Sequence, residues 1–268
     1  IQRYNIMRTT EVISYIVKWL DDYLIQSKVK GFVVGISGGI DSAVVSMLAA
    51  KTGKPVLLLE MPIHQPPEQE SRAKEHSLKL MELFPNVSRK SIDLTLTFDT
   101  LKADLQADES HPNNFLSLAN TRSRLRMTTL YYYAGINNYL VCGTGNKIED
   151  FGVGFYTKYG DGGVDISPIA DLLKSQVYEI AKELGVSSTI QKAKPTDGLW
   201  GDDRSDEDQL GATYPELEWA MSMHENHTAS DFTGREREVF EIYTRLNKLA
   251  QHKINPIPVC KIPEELMK

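Results

Sequence analysis

The stretch GFVVGISGGIDS, residues 31–42, decides the fold of this chain. Residues 31–36 form a short continuous apolar run, which is typical of a strand buried on both faces of a parallel sheet. The serine and glycine residues after it predict a tight turn, and the apolar segment 43–50 predicts a helix that stops at Gly53. A strand, turn and helix in this order place the turn at the carboxyl edge of a sheet, where folds of this class bind ligands.

The same alternation continues along the chain. Apolar runs predict further strands at 55–61, 87–94 and 139–144. Helical spacing of apolar residues predicts helices at 9–24, 67–84, 113–138 and 171–184. Strands that alternate with helices predict an α/β fold, a doubly wound and mostly parallel sheet with helices on both faces. The polar segment 194–213 predicts a long mobile loop, and such loops inside compact domains are usually functional.

Composition and charge limit the classes of function. The chain has 268 residues, of which 41% are hydrophobic, so a single domain over residues 1–268 is expected. A net charge of -6 argues against binding to nucleic acid, and no apolar run is long enough to cross a membrane. The two cysteines, Cys142 and Cys260, are too few for a disulfide framework, and Cys142 lies in an apolar run that predicts a buried, inert thiol. These features predict a cytoplasmic protein.

The turn itself predicts a phosphate-binding site. Its glycines let the backbone bend and present N–H groups to an anion, and the helix after it adds a partial positive charge. The residues expected to bind the phosphates are Gly35, Ile36, Ser37, Gly38, Gly39, Ile40, Asp41 and Ser42. Asp41 would repel bare phosphates, so we expect it to hold Mg²⁺, which bridges carboxylates and phosphates. The alternative is a structural glycine-rich turn capped by Asp41; the common P-loop is excluded, because no Gly-Lys-Ser/Thr follows.

Residues 37–42, SGGIDS, match the SGGxDS loop of the N-type ATP pyrophosphatases. Members of that superfamily adenylate a carbonyl oxygen with ATP and then admit a nitrogen or sulfur nucleophile, and the implied fold is adenine-nucleotide alpha-hydrolase-like. Residues 155–165, FYTKYGDGGVD, resemble the FxTKYGDGGxD segment of one branch, the NAD synthetases. The resemblance runs from about residue 15 to residue 253.

This resemblance implies the ATP and metal ligands. Residues 143–149, GTGNKIE, look like the GTxxxxE element of the family, whose threonine contacts ATP and whose glutamate holds magnesium. Thr144 and Glu149 take those places here, so Mg²⁺ is the implied cofactor, held by Asp41 and Glu149. Lys174 matches the family's ATP-phosphate lysine, and Thr196 matches the threonine that touches the nucleotide.

The resemblance also implies a second substrate, deamido-NAD, with ammonia as the nitrogen donor. Residues 122–127, RSRLRM, resemble the family's RxRxRM helix, and residues 252–253 match its HK pair. The residues then expected to contact deamido-NAD are Arg124, Tyr131, Phe155, Lys158, Asp165, His252 and Lys253. The expected catalytic residues are Asp41, Lys174 and Asp165, the last as a binder of ammonium. In the implied reaction, ATP adenylates the nicotinate carboxylate and ammonia displaces AMP, which gives NAD, AMP and pyrophosphate.

Family members form homodimers that bind the dinucleotide across their interface, so the resemblance implies a homodimer. The predicted helix 113–138 is apolar over much of its circumference, more than one core face requires. Glutamine-using relatives carry a separate glutaminase domain, and the synthetase motifs occupy nearly all of these 268 residues. We therefore expect no glutaminase domain here, and free ammonia as the substrate.

Two departures from the family pattern stand out. NAD synthetases often carry an arginine near the adenine of ATP in the loop after the second strand, where this chain has Leu59-Glu60-Met61-Pro62. Glu60 is expected to be a rim residue without a partner. The spacer between Glu149 and Lys158 is one residue longer than in common bacterial examples, which predicts a small bulge there.

Three alternative functions stay open. A GMP synthetase-like enzyme would share the pyrophosphate loop but lack the TKYGDGG segment. A tRNA-thiolating enzyme would need a basic face and catalytic cysteines. A nucleotide-binding protein without catalysis would keep the glycine-rich loop but would not need Asp41, Glu149 and Lys174 together. Taken alone, the arginines within 122–126 would form a solvated helix face, and residues 252–253 would be surface residues.

Overall fold

The computed structural model describes residues 7–196 and 205–267. Its centre is a parallel sheet of four strands, β1 (Gly31–Gly35), β2 (Val56–Glu60), β3 (Val87–Ser91) and β4 (Tyr139–Cys142). The strand order is β3-β2-β1-β4, so the chain winds outward from β1 to β3 and then returns to the other side of β1. This reversal leaves a crevice between the carboxyl ends of β1 and β4, which is where open α/β sheets bind ligands.

Helices connect and cover these strands. In chain order they are α1 (Thr9–Ser27), α2 (Ile40–Lys51), α3 (Pro67–Leu83), α4 (Thr95–Asp104), α5 (Asn114–Asn137), α6 (Lys174–Glu183), α7 (Ser188–Lys192), α8 (Asp206–Leu210), α9 (Tyr214–Met223) and α10 (Gly234–Ile254). A π-helical turn at Ile148–Val153 follows β4. Among the described helices, none combines the length and the apolar character that a membrane crossing requires.

Both faces of the sheet are covered. Successive strand residues point to opposite faces, so Phe32 and Val34 pack on the side of α1, α2 and α6, whereas Val33 packs on the side of α4 and α5. All three side chains are completely buried. The predicted doubly wound α/β fold is therefore confirmed, and it positions the turn after β1 at the edge of the sheet.

A smaller apolar cluster closes the C-terminal side of the molecule. Ile148 of the π-helical turn packs with Leu217 of α9 and Tyr243 of α10, and all three are buried. The cluster fixes the segment after β4 against the last long helix. This packing therefore also positions two predicted site residues relative to the sheet. They are Glu149, in the π-helical turn, and Lys253, near the end of α10.

The predicted elements differ from the observed ones mainly at their ends. β3 stops at Ser91 rather than at residue 94, because Asp93 accepts a hydrogen bond of 2.8 Å from the backbone N–H of Thr95 and so turns the chain into α4, which was not predicted. The predicted loop 194–213 contains a short helix, α8, so that part of the prediction is wrong. The remainder of that loop, residues 197–204, lies outside the described residues.

Candidate active site

The turn after β1 requires glycine for a steric reason. Gly38 has a φ of +81°, and a Cβ built on it would lie 2.6 Å from the carbonyl oxygen of Gln69. Serine hydroxyls tie the turn together, since Ser42 Oγ donates to Gly39 O at 3.0 Å and Gly39 N donates to Ser37 Oγ at 3.2 Å. α2 begins at Ile40, directly after the turn, so its free N–H groups face the same space.

A lysine between two carboxylates lies beside this turn. Lys174 Nζ is 2.6 Å from Asp41 Oδ2 and 3.0 Å from Glu149 Oε1. The ammonium group is almost fully buried, with a side-chain exposure of 4%. The fold therefore brings together three predicted residues that are far apart in sequence, from the starts of α2 and α6 and from the π-helical turn.

Two further residues complete this cluster. Asn146 Nδ2 donates to Asp41 Oδ1 at 3.2 Å, and Tyr214 OH donates to Glu149 Oε1 at 2.6 Å. The ring of Tyr214 also lies 4.8 Å from the Lys174 ammonium, a cation–π distance. Asn146 lies within the GTGNKIE string and could have been singled out there. Tyr214 comes from α9, and no local pattern in the sequence marks it.

Burial and charge set the protonation of the cluster. Burial raises the pKa of the Asp41 carboxyl above its ordinary value, and the nearby Lys174 ammonium counteracts that rise. Burial alone would lower the pKa of Lys174, but the charges of Asp41 and Glu149 outweigh it and raise that pKa. Lys174 is therefore a permanent cation at neutral pH and acts on charge rather than as a base.

The donor set fits the magnesium that the family resemblance implies. Asp41 and Glu149 both reach one cation, the Lys174 ammonium, so their oxygens already converge on a single small volume. Mg²⁺ is usually held by one or two carboxylates together with water and substrate phosphates, which matches a pair of carboxylates beside a phosphate-binding turn. Asp41 and Glu149 would hold the ion there.

A single cavity of about 970 Å³ connects the turn with the edges of β2, β3 and β4. Every residue predicted to bind ATP lines it: Gly35, Ile36, Ser37, Gly38, Gly39, Ile40, Asp41, Ser42, Thr144, Lys174 and Thr196. Phe155 and Lys253, two of the predicted substrate contacts, line it as well. Lys253 Nζ donates to the carbonyl oxygen of Tyr156 at 2.7 Å, and burial lowers the pKa of this lysine.

The other predicted substrate contacts lie outside the lining of this cavity in the single chain: Arg124, Tyr131, Lys158, Asp165 and His252. Arg124 donates from Nε and Nη2 to the carbonyl oxygen of Lys158, at 3.3 Å for both, and Lys158 Nζ donates to the carbonyl oxygen of His252. These three residues form an exposed basic cluster, which we call the outer rim.

Asp165 is engaged elsewhere. Its carboxylate accepts from the backbone N–H of Val141 at 2.8 Å and from Tyr131 OH at 3.0 Å, and these bonds fasten β4 to α5. Its expected contact with ammonium stays a prediction. Four carboxylates that were not proposed from the sequence also line the cavity: Glu70, Asp150, Asp161 and Asp206. Burial, together with the negative charges of Glu149 and Asp161, raises the pKa of Asp150 to about 8.

The predicted bulge between Glu149 and Lys158 is confirmed. The chain there forms a π-helical turn, in which each hydrogen bond spans one residue more than in an α-helix. The turn ends at Gly154, which has a φ of +63°, and the N–H of Phe155 donates back to Glu149 O at 2.8 Å. The additional residue is therefore absorbed inside the turn.

The prediction that Glu60 has no partner is wrong. Glu60 is buried, and both of its carboxylate oxygens accept from Arg89, at 2.6 Å from Nε and 2.6 Å from Nη2. Arg89 comes from β3, and strand pairing, which local sequence does not show, brings it next to the end of β2. Both residues line the cavity.

The three arginines of α5 do not form one solvated face. Arg126 Nε donates to Met61 O at 3.0 Å, the guanidinium of Arg122 lies 4.3 Å from the centre of the Phe98 ring, and Arg124 joins the outer rim. Each arginine thus reaches a different segment around the cavity. The thiol of Cys142 is buried, and burial raises its pKa, so the prediction of an inert cysteine is confirmed.

A glycine-rich turn after the first strand, with a buried lysine and two carboxylates at the switch point of a parallel sheet, defines a nucleotide-binding α/β enzyme of the adenylating class. Comparison with known proteins narrows this class. A model of the NAD synthase family matches residues 12–256. The NH(3)-dependent NAD(+) synthetase of Mesoplasma florum is 38% identical over 252 residues, which cover 93% of this chain and 96% of that protein. The chain belongs to the NAD synthase family, and it is an ATP-dependent carbon–nitrogen ligase of NAD biosynthesis.

Solved structures share the fold of this chain. NMN synthetase from Francisella tularensis superposes with a TM-score of 0.84 and 31% identity, over 96% of this chain and 100% of that chain. The NH3-dependent NAD synthetase of Campylobacter jejuni superposes with a TM-score of 0.77 over 96% of this chain and 100% of that chain. Its identity is 23%, so this second likeness concerns the fold alone.

Proposed function

We propose that this chain adenylates the nicotinate carboxylate of deamido-NAD with ATP and then amidates it with ammonia. The observation that carries the proposal is the convergence of Asp41, Lys174 and Glu149 on the glycine-rich turn inside one cavity. Family membership supplies the substrates, and the cavity supplies a place where a triphosphate and a second ligand can meet.

The residues of the chain act mainly by positioning and by neutralising charge. A nicotinate carboxylate is a poor electrophile, because it is anionic and has no leaving group. Its oxygen attacks the α-phosphorus of ATP, and pyrophosphate leaves into the turn, where the N–H groups at the start of α2 and the Lys174 ammonium receive it. Mg²⁺ held by Asp41 and Glu149 would supply further neutralisation of the leaving group.

Ammonia then attacks the acyl carbon of the mixed anhydride, and AMP leaves. The nitrogen donor follows from the thiols of the chain, since the described cysteines are one buried Cys142 and one exposed Cys260. Neither is placed as the nucleophile that glutamine hydrolysis needs. We infer that the chain is a single synthetase domain and uses free ammonia.

A nucleotide assay tests this proposal. Purified protein, magnesium, ATP and deamido-NAD are mixed with either an ammonium salt or glutamine in ammonia-free buffer, and the nucleotides are separated chromatographically. We expect NAD, AMP and pyrophosphate with ammonium, and almost no product with glutamine. Accumulation of ADP, or equal rates with the two nitrogen donors, would contradict the proposal.

A second candidate substrate is the deamidated mononucleotide. The observation that favours it is the likeness to an enzyme described as NMN synthetase, at 31% identity and a TM-score of 0.84, above the 0.77 of the NAD synthetase from C. jejuni. The outer rim, which the family resemblance assigns to the dinucleotide, also lies outside the cavity of a single chain.

Competition between the two acceptors separates these candidates. Nicotinate mononucleotide and deamido-NAD are supplied together at equal concentration, and the two amides are quantified at low conversion. We expect deamido-NAD to be amidated faster, and Lys158→Met to reduce that preference because Lys158 belongs to the outer rim. A preference for the mononucleotide that Lys158→Met leaves unchanged would favour the second candidate.

We also propose that the enzyme works as a homodimer in the cytoplasm. On α5, Tyr132 and Ile136 are each 62% exposed, which is costly for large apolar side chains that face water. Because α5 also carries Arg124, a partner on this helix would extend the cavity over the outer rim. Two unpaired thiols fit a reducing compartment.

A further inference from the structure

The ion pair between Glu60 and Arg89 lines the cavity, but the reaction steps above do not use it. Two parallel hydrogen bonds of 2.6 Å hold the plane of the guanidinium in one orientation. The Glu60 side chain is 8% exposed and that of Arg89 is 22% exposed, so the carboxylate lies behind and the guanidinium lies in front. The pair therefore presents a fixed, flat cation at the cavity wall.

Its position relative to the phosphate-binding turn is set by the sheet. Arg89 pairs in register with Leu58, two positions before Glu60, so Arg89 and Glu60 lie on the same face of neighbouring strands. Strands are spaced by about 4.8 Å, so the ends of β2 and β3 lie roughly 5 and 10 Å from the end of β1. A ligand whose phosphates occupy the turn after β1 reaches that far with its sugar and base.

The β4 side and the β2 side of the cavity differ in the part of a nucleotide that they can bind. The β4 side carries the carboxylates of Glu149, Asp150 and Asp161. The β2 side carries an apolar patch, formed by Met61 and Leu130 over Gly35, where a Cβ on Gly35 would lie 3.4 Å from Met61 Cε. A purine base needs flat apolar walls and few polar contacts, so the β2 side accommodates the base.

We propose that Arg89 contacts the adenine base of ATP and that Glu60 is the positioning residue that fixes its guanidinium. A guanidinium plane stacks on an aromatic ring, and a lysine ammonium offers no such plane. This role of Glu60 and Arg89 adds a base contact to the proposed ATP-dependent function, and it rests on that function.

Steady-state kinetics of Arg89→Lys test this role. The variant keeps the positive charge opposite the buried Glu60 and removes the planar group. We expect KM for ATP to rise about tenfold, kcat to stay within about threefold, and KM for deamido-NAD to stay unchanged. Glu60→Gln, which frees the guanidinium without removing it, should give a smaller rise in the same constant, and Glu60→Asp should recover part of it.

A binding experiment without turnover separates the base from the phosphates. The non-cleavable analogue α,β-methylene-ATP and inorganic pyrophosphate are titrated separately into the magnesium-loaded enzyme. Arg89→Lys should weaken the analogue about tenfold and leave the affinity for pyrophosphate unchanged. Because no amide is formed, this titration judges Arg89 even if the assay of the proposed function fails.

Arg235→Lys is the matched control. Arg235 makes the same pair of bonds, from Nε and Nη2 to Glu216 at 2.8 and 2.9 Å, away from the cavity described here. It should leave every constant unchanged. If Arg89→Lys leaves the affinity for the analogue unchanged, or weakens both probes equally, or lowers only the thermal midpoint, the pair is structural and the proposal is overturned.

Discussion

The inner cluster consists of Asp41, Lys174 and Glu149, and the outer rim consists of Arg124, Lys158 and His252. The two groups differ in the partners that their polar side chains bind. In the inner cluster side chains bond to side chains of opposite charge, and Lys174 is buried between two carboxylates. In the outer rim the side chains bond to backbone carbonyl oxygens, and none of the three has a carboxylate partner among the described residues.

This difference indicates that a single chain pairs the charges of the inner cluster but not those of the outer rim. In the inner cluster the opposite charges are paired within the chain, because Lys174 lies between both carboxylates. In the outer rim the charges of Arg124 and Lys158 have carbonyl partners but no carboxylate partner among the described residues, so we expect an anionic ligand to add to these contacts. We expect changes in the inner cluster to affect chemistry and changes in the outer rim to affect the binding of one substrate.

The largest effect should come from the inner cluster. Asp41→Asn and Glu149→Gln each remove one negative charge from the site expected to hold magnesium, so each should lower kcat/KM at least about a hundredfold. The measurement is pyrophosphate release as magnesium is varied. Normal turnover by both variants at limiting magnesium would mean that these carboxylates do not hold the ion.

Placing a charge on the exposed apolar face of α5 should have the next largest effect. Ile136→Asp introduces a charge on the surface that we assign to the dimer, so the protein should become monomeric and lose roughly thirtyfold in kcat/KM for deamido-NAD. Light scattering and kinetics at the same protein concentration check this expectation. Tyr15→Asp is the control, because Tyr15 is 73% exposed on α1; a fully active Ile136→Asp monomer would refute the dimer.

A single change in the outer rim should be milder and selective. Lys158→Met should raise KM for deamido-NAD about tenfold and leave KM for ATP unchanged, since one expected charged contact to that substrate is lost. The wild-type KM for deamido-NAD should also rise with ionic strength, because exposed charges are screened. If both Michaelis constants rise together, the rim and the inner cluster are not independent.

The smallest effect on activity should come from His76, a buried histidine on α3 that is not part of the inner cluster. His76 Nε2 and Ser46 Oγ are 2.8 Å apart between α3 and α2, and burial lowers the pKa of His76 to about 4. The unfolded chain therefore binds a proton below pH 6.5 that the folded chain does not, so stability falls on acidification. From pH 7 to pH 5 this should remove about 2 kcal/mol of unfolding free energy.

His76→Gln tests this contribution. The variant cannot titrate, so its loss of unfolding free energy between pH 7 and pH 5 should be smaller than that of the wild type by about the same 2 kcal/mol. Denaturant unfolding at the two pH values measures the difference, and activity at pH 7 should be unchanged. Parallel profiles for the two proteins would show that His76 is not neutral in the folded state.

The sequence predicted the inner cluster better than its surroundings, for a physical reason. Asp41 lies inside a motif whose glycines are required by backbone geometry, so the function of the motif can be inferred locally. Tyr214 reaches Glu149 only through the packing of α9, and Arg89 reaches the cavity only through the pairing of β3 with β2. No spacing along the chain encodes those contacts.

The fold was predicted well where periodicity is strong and poorly where side chains decide an end. The start of α1 was predicted at Thr9, where it lies, because buried apolar residues recur at helical spacing from Ile13 to Leu24. The end of β3 depends on a single bond from the N–H of Thr95 to Asp93, and Glu60 was misjudged because its partner comes from another strand. The first error concerns a local side-chain bond and the second a contact between strands, and the spacing of apolar residues reveals neither.

The π-helical turn at Ile148–Val153 has a consequence for how this family can change over time. A π-helical turn holds one residue more than an α-helical turn, so one residue could be gained or lost within it with little movement of the strand before it or the segment after it. A change in chain length within an active site normally displaces the residues that bind the ligand. Here the turn can take up such a change beside Glu149, while the Glu149 carboxylate keeps its bonds to Lys174 and Tyr214.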